Sequence, residues 1–278
     1  MTSFLRSSLL GSTALLALAG CPSTPSETSM DLAFSAQVNG ADFECGREYP
    51  NVGTSGTTIT AQDLRLYVHD VRFVTSAGVE VPLVLDQIDF QNGDVALLDF
   101  ETGGSACGAG NTPTHTNLTG TLASAGPFTA VRLRIGVPED RNHLDSASQP
   151  SPMNFSSMYW NWQGGYKFMR FEALTDTAAR GVSFHLAATN CSGDATMGTR
   201  TCANGNRPEI ELALPEDFGP GTHEVVLDVG TWLAGLDLTT DGCESGLSDA
   251  DCASWFETVG LPDASAQTLL RVVRRPTR

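Results

Sequence analysis

Hydrophobic and polar residues along this chain alternate in short runs rather than in helical periods. Leu64, Leu66 and Val68 alternate with Arg65, Tyr67 and His69, and Val131, Leu133 and Ile135 alternate with Arg132 and Arg134. This is the period-two signature of strands with one apolar and one polar face. Runs of this kind between turn signals predict strands over Leu32–Val38, Asp63–Val74, Val81–Asp86, Val95–Asp99, Ala130–Val137, Tyr166–Ala173, Gly181–Ala187, Glu209–Leu214 and Glu224–Asp228. Helical signals are confined to Gly230–Leu236 and Cys252–Val259. The second follows Ser248-Asp249-Ala250-Asp251, which supplies an N-cap and acids at the positive end of the helix dipole. The expected fold is all-β, an antiparallel sandwich of Ig or jelly-roll type with few short helices. A complement of 28 glycines and 14 prolines fits so turn-rich a chain.

The amino terminus follows a different pattern. Arg6, an apolar run from Leu9 to Ala19 and then Leu18-Ala19-Gly20-Cys21 read as a signal peptide over residues 1–20, followed by the lipidated cysteine of a bacterial lipobox. The alternative is a plain signal peptide with an incidental cysteine. Residues 21–30 are expected to be the lipidated Cys21 and a flexible polar tether. Residues 31–278 then form one sandwich domain, within which 239–262 is a disulfide-containing C-terminal appendage. The expected location is the periplasmic face or the surface of the outer membrane, held through the lipid. Export puts the remaining six cysteines in an oxidising compartment, where disulfides come before metal thiolates. Fifteen pairings are possible. Short local loops favour Cys191–Cys202 and Cys243–Cys252, which leaves Cys45–Cys107.

Charge and missing motifs narrow the function. There are 16 Lys+Arg against 32 Asp+Glu, a formal net charge of −16, and Lys167 is the one lysine. Nucleic acid is excluded as a partner, because phosphates attract clustered basic residues. The chain has no P-loop, G-x-G-x-x-G, H-E-x-x-H, C-x-x-C or G-x-S-x-G sequence, so those site types are dismissed and hydrolysis is disfavoured. The chemistry lies in five histidines and one aromatic segment. His69 sits on the polar face of its strand, His143 in the loop after Val137, and His185 six residues before Cys191. His115 and His223 stand in polar, turn-like contexts and are expected to be exposed. Between His143 and His185, Met158 to Phe168 carries Trp160 and Trp162 two residues apart, on one face if extended. Such a run is either a packing cluster or, with Tyr166, a stacking platform for a sugar.

Seven segments in order make a more specific pattern: Asp63–Phe73, Val95–Glu101, Gly136–Asp145, Pro152–Phe171, Phe184–Cys191, Asn206–Leu212 and Gly242–Cys252. Together they resemble the MbnP-like proteins, also called metallo-mystery pair four-Cys motif proteins, over about residues 31–262. The resemblance implies an exported copper-binding protein that holds one Cu(I) or Cu(II) ion. It also implies a di-haem cytochrome-c-peroxidase-like partner, which oxidises a tryptophan to kynurenine. By motif position His69 and His143 are the implied metal ligands, with His185 a third candidate. Some relatives carry the modified residue two positions before the first histidine. That position is Tyr67 here, which cannot become kynurenine, so Trp160 and Trp162 are the remaining candidates. Imidazole suits copper, Met153 and Met158 offer thioethers nearby, and Asp70 and Asp145 are candidates for orienting the imidazoles. The competing reading is a carbohydrate- or surface-binding sandwich that uses Trp160 and Trp162. An exported hydrolase or oxidase is a third, without a recognisable base or nucleophile.

Overall fold

The computed structural model describes residues 27–107, 113–177, 181–240, 242–244 and 252–275, and in these the alternating segments pair into two main sheets. One sheet runs in the order Leu270–Arg274, His223–Asp228, Thr28–Val38, Asn117–Leu122 and Val84–Leu85. The other runs Glu209–Ala213, Phe128–Ile135, Thr57–Thr75, Met169–Thr175, Val182–Leu186 and Gly242–Glu244. The pairings are mostly antiparallel. Thr28–Val38 with His223–Asp228, and Val182–Leu186 with Gly242–Glu244, are parallel. Apolar residues from both sheets, among them Leu32, Phe34, Leu64, Leu66, Leu133 and Phe171, enclose one hydrophobic cluster. Trp232 anchors it edge-on to Phe171, Phe184 and Trp255, in the tilted geometry that aromatic quadrupoles favour. The fold is a β-sandwich with few short helices, stapled by disulfides Cys45–Cys107, Cys191–Cys202 and Cys243–Cys252.

The strand expected at Asp63–Val74 extends over Thr57–Thr75, because Thr57–Thr60 pair with Glu48–Val52 and Ile59–Leu66 with Met169–Thr175. The first strand begins at Thr28, not after Met30. Residues 28–30 pair with 120–122, and Met30 is buried, so these three residues belong to the sheet and not to the tether. Asn117–Leu122, Leu270–Arg274 and the hairpin Thr189–Ser192/Thr201–Asn204 are strands with no strong apolar alternation. Helices occupy Val229–Leu233 and Ala253–Thr258. Asp228 caps the first through Thr231 N–H at 3.1 Å. The signal peptide, Cys21, the start of the tether and the Ser248–Asp251 cap lie outside the described residues.

One feature of the larger sheet positions the candidate site. Phe128–Ile135 and Met169–Thr175 pair along the same edge of the long strand, end to end, and meet at Tyr67. Gly136 N–H donates to the Tyr67 carbonyl (2.8 Å), and Tyr67 N–H donates to the Phe168 carbonyl (2.9 Å). Residues 137–167 leave the sheet at this junction and return to it. They lie over the face that carries Arg65, Tyr67 and His69, which is why Arg65 and Tyr67 are fully buried and His69 is 6 % exposed. Both faces of the long strand are therefore covered, and the polar face is an interior one.

Candidate metal centre

His69 lies where the long strand is irregular. Between Arg132↔Arg72 and Arg134↔His69 the long strand advances three residues while its partner advances two, which makes a β-bulge. Asp70 supplies the left-handed turn with φ +52°, a conformation aspartate tolerates better than most residues. Such a bulge re-aims neighbouring side chains. The Asp70 carboxylate is held by Arg72 (3.1 Å) and Arg134 (3.2 Å) and does not orient His69. The backbone does: His69 Nδ1–H donates to the Gly136 carbonyl at 2.9 Å. This fixes the tautomer and leaves the Nε2 lone pair without a hydrogen-bond partner among the described residues. Gly136 is required there. Its φ is +126°, and an added Cβ would lie 3.0 Å from the Phe168 ring.

His143 repeats the arrangement at the far end of the same loop. Its Nδ1–H donates to the Trp162 carbonyl at 3.1 Å, so Nε2 again carries the lone pair. Asn142 Nδ2 lies 3.1 Å from Nε2 and Cys202 Sγ 3.2 Å from it. Asn142 is itself held by Tyr166 N–H, which donates to its Oδ1 at 3.1 Å. Asp145 does not face His143; it caps the turn Ser146–Ser148 through Ala147 N–H. Burial lowers the pKa of both imidazoles below the usual 6.5. The carbonyl hydrogen bonds oppose that shift, and the positive charge of Arg207 adds to it at each ring. Arg207 binds the same loop, with its Nε on the Val137 carbonyl and its Nη1 on Glu139 (2.6 Å). Its guanidinium lies 4.7 Å from the Phe168 ring centroid. Asn142 and Arg207 fall within the segments Gly136–Asp145 and Asn206–Leu212, but the sequence pattern singled out neither. Their roles arise from contacts across the loop and have no local spacing signal.

His185 is placed elsewhere on the same covered face. It stands directly opposite Arg170, and Arg170 opposite Arg65. That position is two strands across and four residues along from His69, roughly 16 Å at ordinary strand spacings. Its Nε2–H donates to Glu172 at 2.8 Å. Burial raises the Glu172 pKa, but hydrogen bonds from His185 and Arg170 outweigh it and bring the group down to about 2. Arg65, Arg170 and Lys167 converge on Ser157 of the covering segment. Arg65 donates to its hydroxyl at 2.8 Å, and Arg170 and Lys167 donate to its carbonyl at 3.0 Å each. Burial lowers Lys167 to about 8. The structure thus sets His69 in the long strand against Gly136 at the start of the loop, His143 within that loop, and His185 in a separate ionic network.

The aromatic segment divides. Trp162 is 44 % exposed, and its carbonyl orients His143. Trp160 is half-buried, edge-on to His185 at 6.1 Å, with Lys167 Nζ 5.5 Å from its ring centroid. Tyr166 is fully buried with its hydroxyl on the Met153 carbonyl (2.7 Å), which removes it from any exposed stacking platform. Met153 and Met158 are core residues. His223 is 4 % exposed, packed on Phe218 and bonded to the Thr222 hydroxyl, and His115 is stacked on Phe90 with Nε2 buried. Neither is the exposed residue its context suggested, because neighbouring aromatics cover both.

Comparison with known proteins places the fold in a family. The family model described as MbnP matches residues 27–254. The solved structure of MbnP from Methylosinus trichosporium superposes with a TM-score of 0.78 at 27 % identity. That match covers 90 % of this chain and all of the other. No curated protein sequence matches. With a family match over most of its length and the same fold in a solved member, the chain belongs to the MbnP family.

Proposed function

We propose that this protein is an exported, lipid-anchored, non-catalytic copper carrier that holds one copper ion through His69 and His143. The observation that carries the reading is the shared state of the two imidazoles. Each donates Nδ1–H to a backbone carbonyl of the covering segment, and each is kept neutral by burial. Each therefore carries its lone pair on Nε2, His69 in the strand against Gly136 and His143 in the loop that Gly136 begins. Oriented neutral imidazoles are what a copper site needs. The donor set also fits because every described cysteine is in a disulfide, leaving nitrogen rather than thiolate for the metal. At His143 the ion would replace the Asn142 amide contact.

The di-haem cytochrome-c-peroxidase-like partner belongs to this proposal. So does oxidation of a tryptophan to kynurenine, and Trp162 is our choice of target, being exposed and linked to His143 through its own carbonyl. The test is metal analysis of protein expressed with its leader and loaded with copper, comparing wild type with His69→Ala, His143→Ala and His185→Ala. We expect one copper per chain in wild type and in His185→Ala, and loss in the other two with the circular dichroism spectrum unchanged. Copper retained by His69→Ala, or absent from folded wild type, rules the site out. Intact mass of protein co-expressed with the partner tests the kynurenine, which gains one oxygen and loses one carbon relative to tryptophan.

A further inference from the structure

Next to His143 lie two sulfurs that the copper reading does not use. The Nε2 of His143 and the sulfurs of Cys191 and Cys202 all lie within 4.8 Å of one another, with Nε2 3.2 Å from Cys202 Sγ. The three residues are half-buried and open to reagents, whereas Cys243 and Cys252 are each 1 % exposed. The cysteines sit opposite each other in the hairpin Thr189–Ser192/Thr201–Asn204, with Cα atoms 3.8 Å apart. This hairpin is a two-stranded sheet of its own, outside both main sheets. The disulfide closes a loop of sequence separation 11, against 62 for Cys45–Cys107, so on chain entropy it constrains the unfolded chain less.

We propose that Cys191–Cys202 is a reducible disulfide whose opening creates a Cys2His site for a soft d10 cation, with His143 as the shared ligand. A small dithiol supplies the two electrons: its thiolate attacks one protein sulfur, the protein S–S bond breaks, and the second thiol closes the cyclic disulfide of the reductant. The two protons of the dithiol end on Cys191 and Cys202. Binding of the cation then forms two metal–sulfur bonds and releases both protons. The paired hairpin backbone keeps the two sulfurs adjacent after the bond opens, so the chelate is largely preorganised. His143 would then answer to two donor sets. Disulfide formation withdraws the sulfurs and leaves it to nitrogen-ligand chemistry alone.

The proposal does not rest on the copper reading, and its test uses cadmium, whose thiolate complexes have a distinct charge-transfer absorption. Full-length protein is treated with graded dithiothreitol, alkylated and mapped by peptide mass, and a parallel sample is titrated anaerobically with Cd(II). We expect Cys191 and Cys202 to be alkylated before the other four cysteines. The partly reduced protein should take up one Cd(II) with the charge-transfer band, and the oxidised protein should show no band. Cys191→Ser with Cys202→Ser should abolish the band, while His143→Ala should keep it and weaken Cd(II) binding 10-fold or more. His69→Ala should bind Cd(II) as wild type does, which separates this site from the copper proposal. Earlier opening of Cys45–Cys107, absence of the band, or unchanged affinity in His143→Ala overturns the proposal.

Discussion

At the scale of single residues, the centre depends on which ring nitrogen holds the proton. Burial depresses both imidazole pKa values below 6.5, so the unfolded chain takes up protons at these rings before the folded one does. Their contribution to stability is therefore complete above pH 6.5 and is lost as the pH falls through the lowered folded values. Protons compete with metal for the same Nε2 lone pairs, so copper retention should be level from pH 8 to about 6.5 and decline below that. Retention measured by equilibrium dialysis across this range checks it, and a decline beginning well above pH 7 contradicts it. Gly136 provides a second check. Alanine there is strained by the positive φ and presses on Phe168, and the carbonyl that orients His69 belongs to this residue. Gly136→Ala should destabilise the fold by about 1–3 kcal/mol and weaken copper binding without removing any ligand. Urea unfolding and metal titration on the same variant read both effects.

At the scale of elements, the strands were legible where an apolar run or alternation was strong. Val95–Asp99 is read to the residue, and Glu209–Ala213 and His223–Asp228 to within one. Alternation put Arg65, Tyr67 and His69 on one polar face, but it did not show that this face is buried. Their cover is residues 137–167, whose route over the sheet is set by contacts with residues about 65 to 100 positions distant in sequence. No local pattern reports such contacts. The histidines were legible as residue types, but their carbonyl partners and the separation of His185 were not, since backbone acceptors carry no sequence signature. Tyr67 shows what the cover contributes. Its buried hydroxyl donates to the Pro152 carbonyl at 2.8 Å, and its ring meets Tyr166 edge-on at 5.8 Å. Tyr67→Phe keeps the ring contact and leaves a buried carbonyl without its donor, an expected cost of about 1–3 kcal/mol. Because the cover carries His143, the same variant should release copper faster than wild type. A variant as stable as wild type in urea would show that the hydroxyl does not help to hold the cover down.

At the scale of the whole molecule, ionisable residues stand directly opposite one another across the larger sheet in the order Glu244, His185, Arg170, Arg65, Asp99 and His115. The row is unevenly satisfied. Asp63, beside it, is held by both Arg65 (2.8 Å) and Arg170 (3.1 Å). Asp99 receives one backbone hydrogen bond, from Glu101 N–H, and its Oδ2 is buried without a partner. Burial, only partly offset by that bond and by the charge of Arg65, raises the Asp99 pKa from 3.8 to about 7. The folded state thus keeps a proton that the unfolded chain has already released. That stabilisation is complete below about pH 4 and is lost as the pH rises through 7, with a slope of at most about 1.4 kcal/mol per unit. The sign is opposite to that of the two metal-centre histidines. Asp99→Asn keeps an oxygen to accept from Glu101 and removes the titration. The variant should therefore gain stability relative to wild type progressively between pH 5 and 8, measured by urea unfolding at each pH, while the other titrating groups cancel in the difference. If the two curves run parallel, Asp99 is ionised throughout that range, and its buried charge must be balanced by another group.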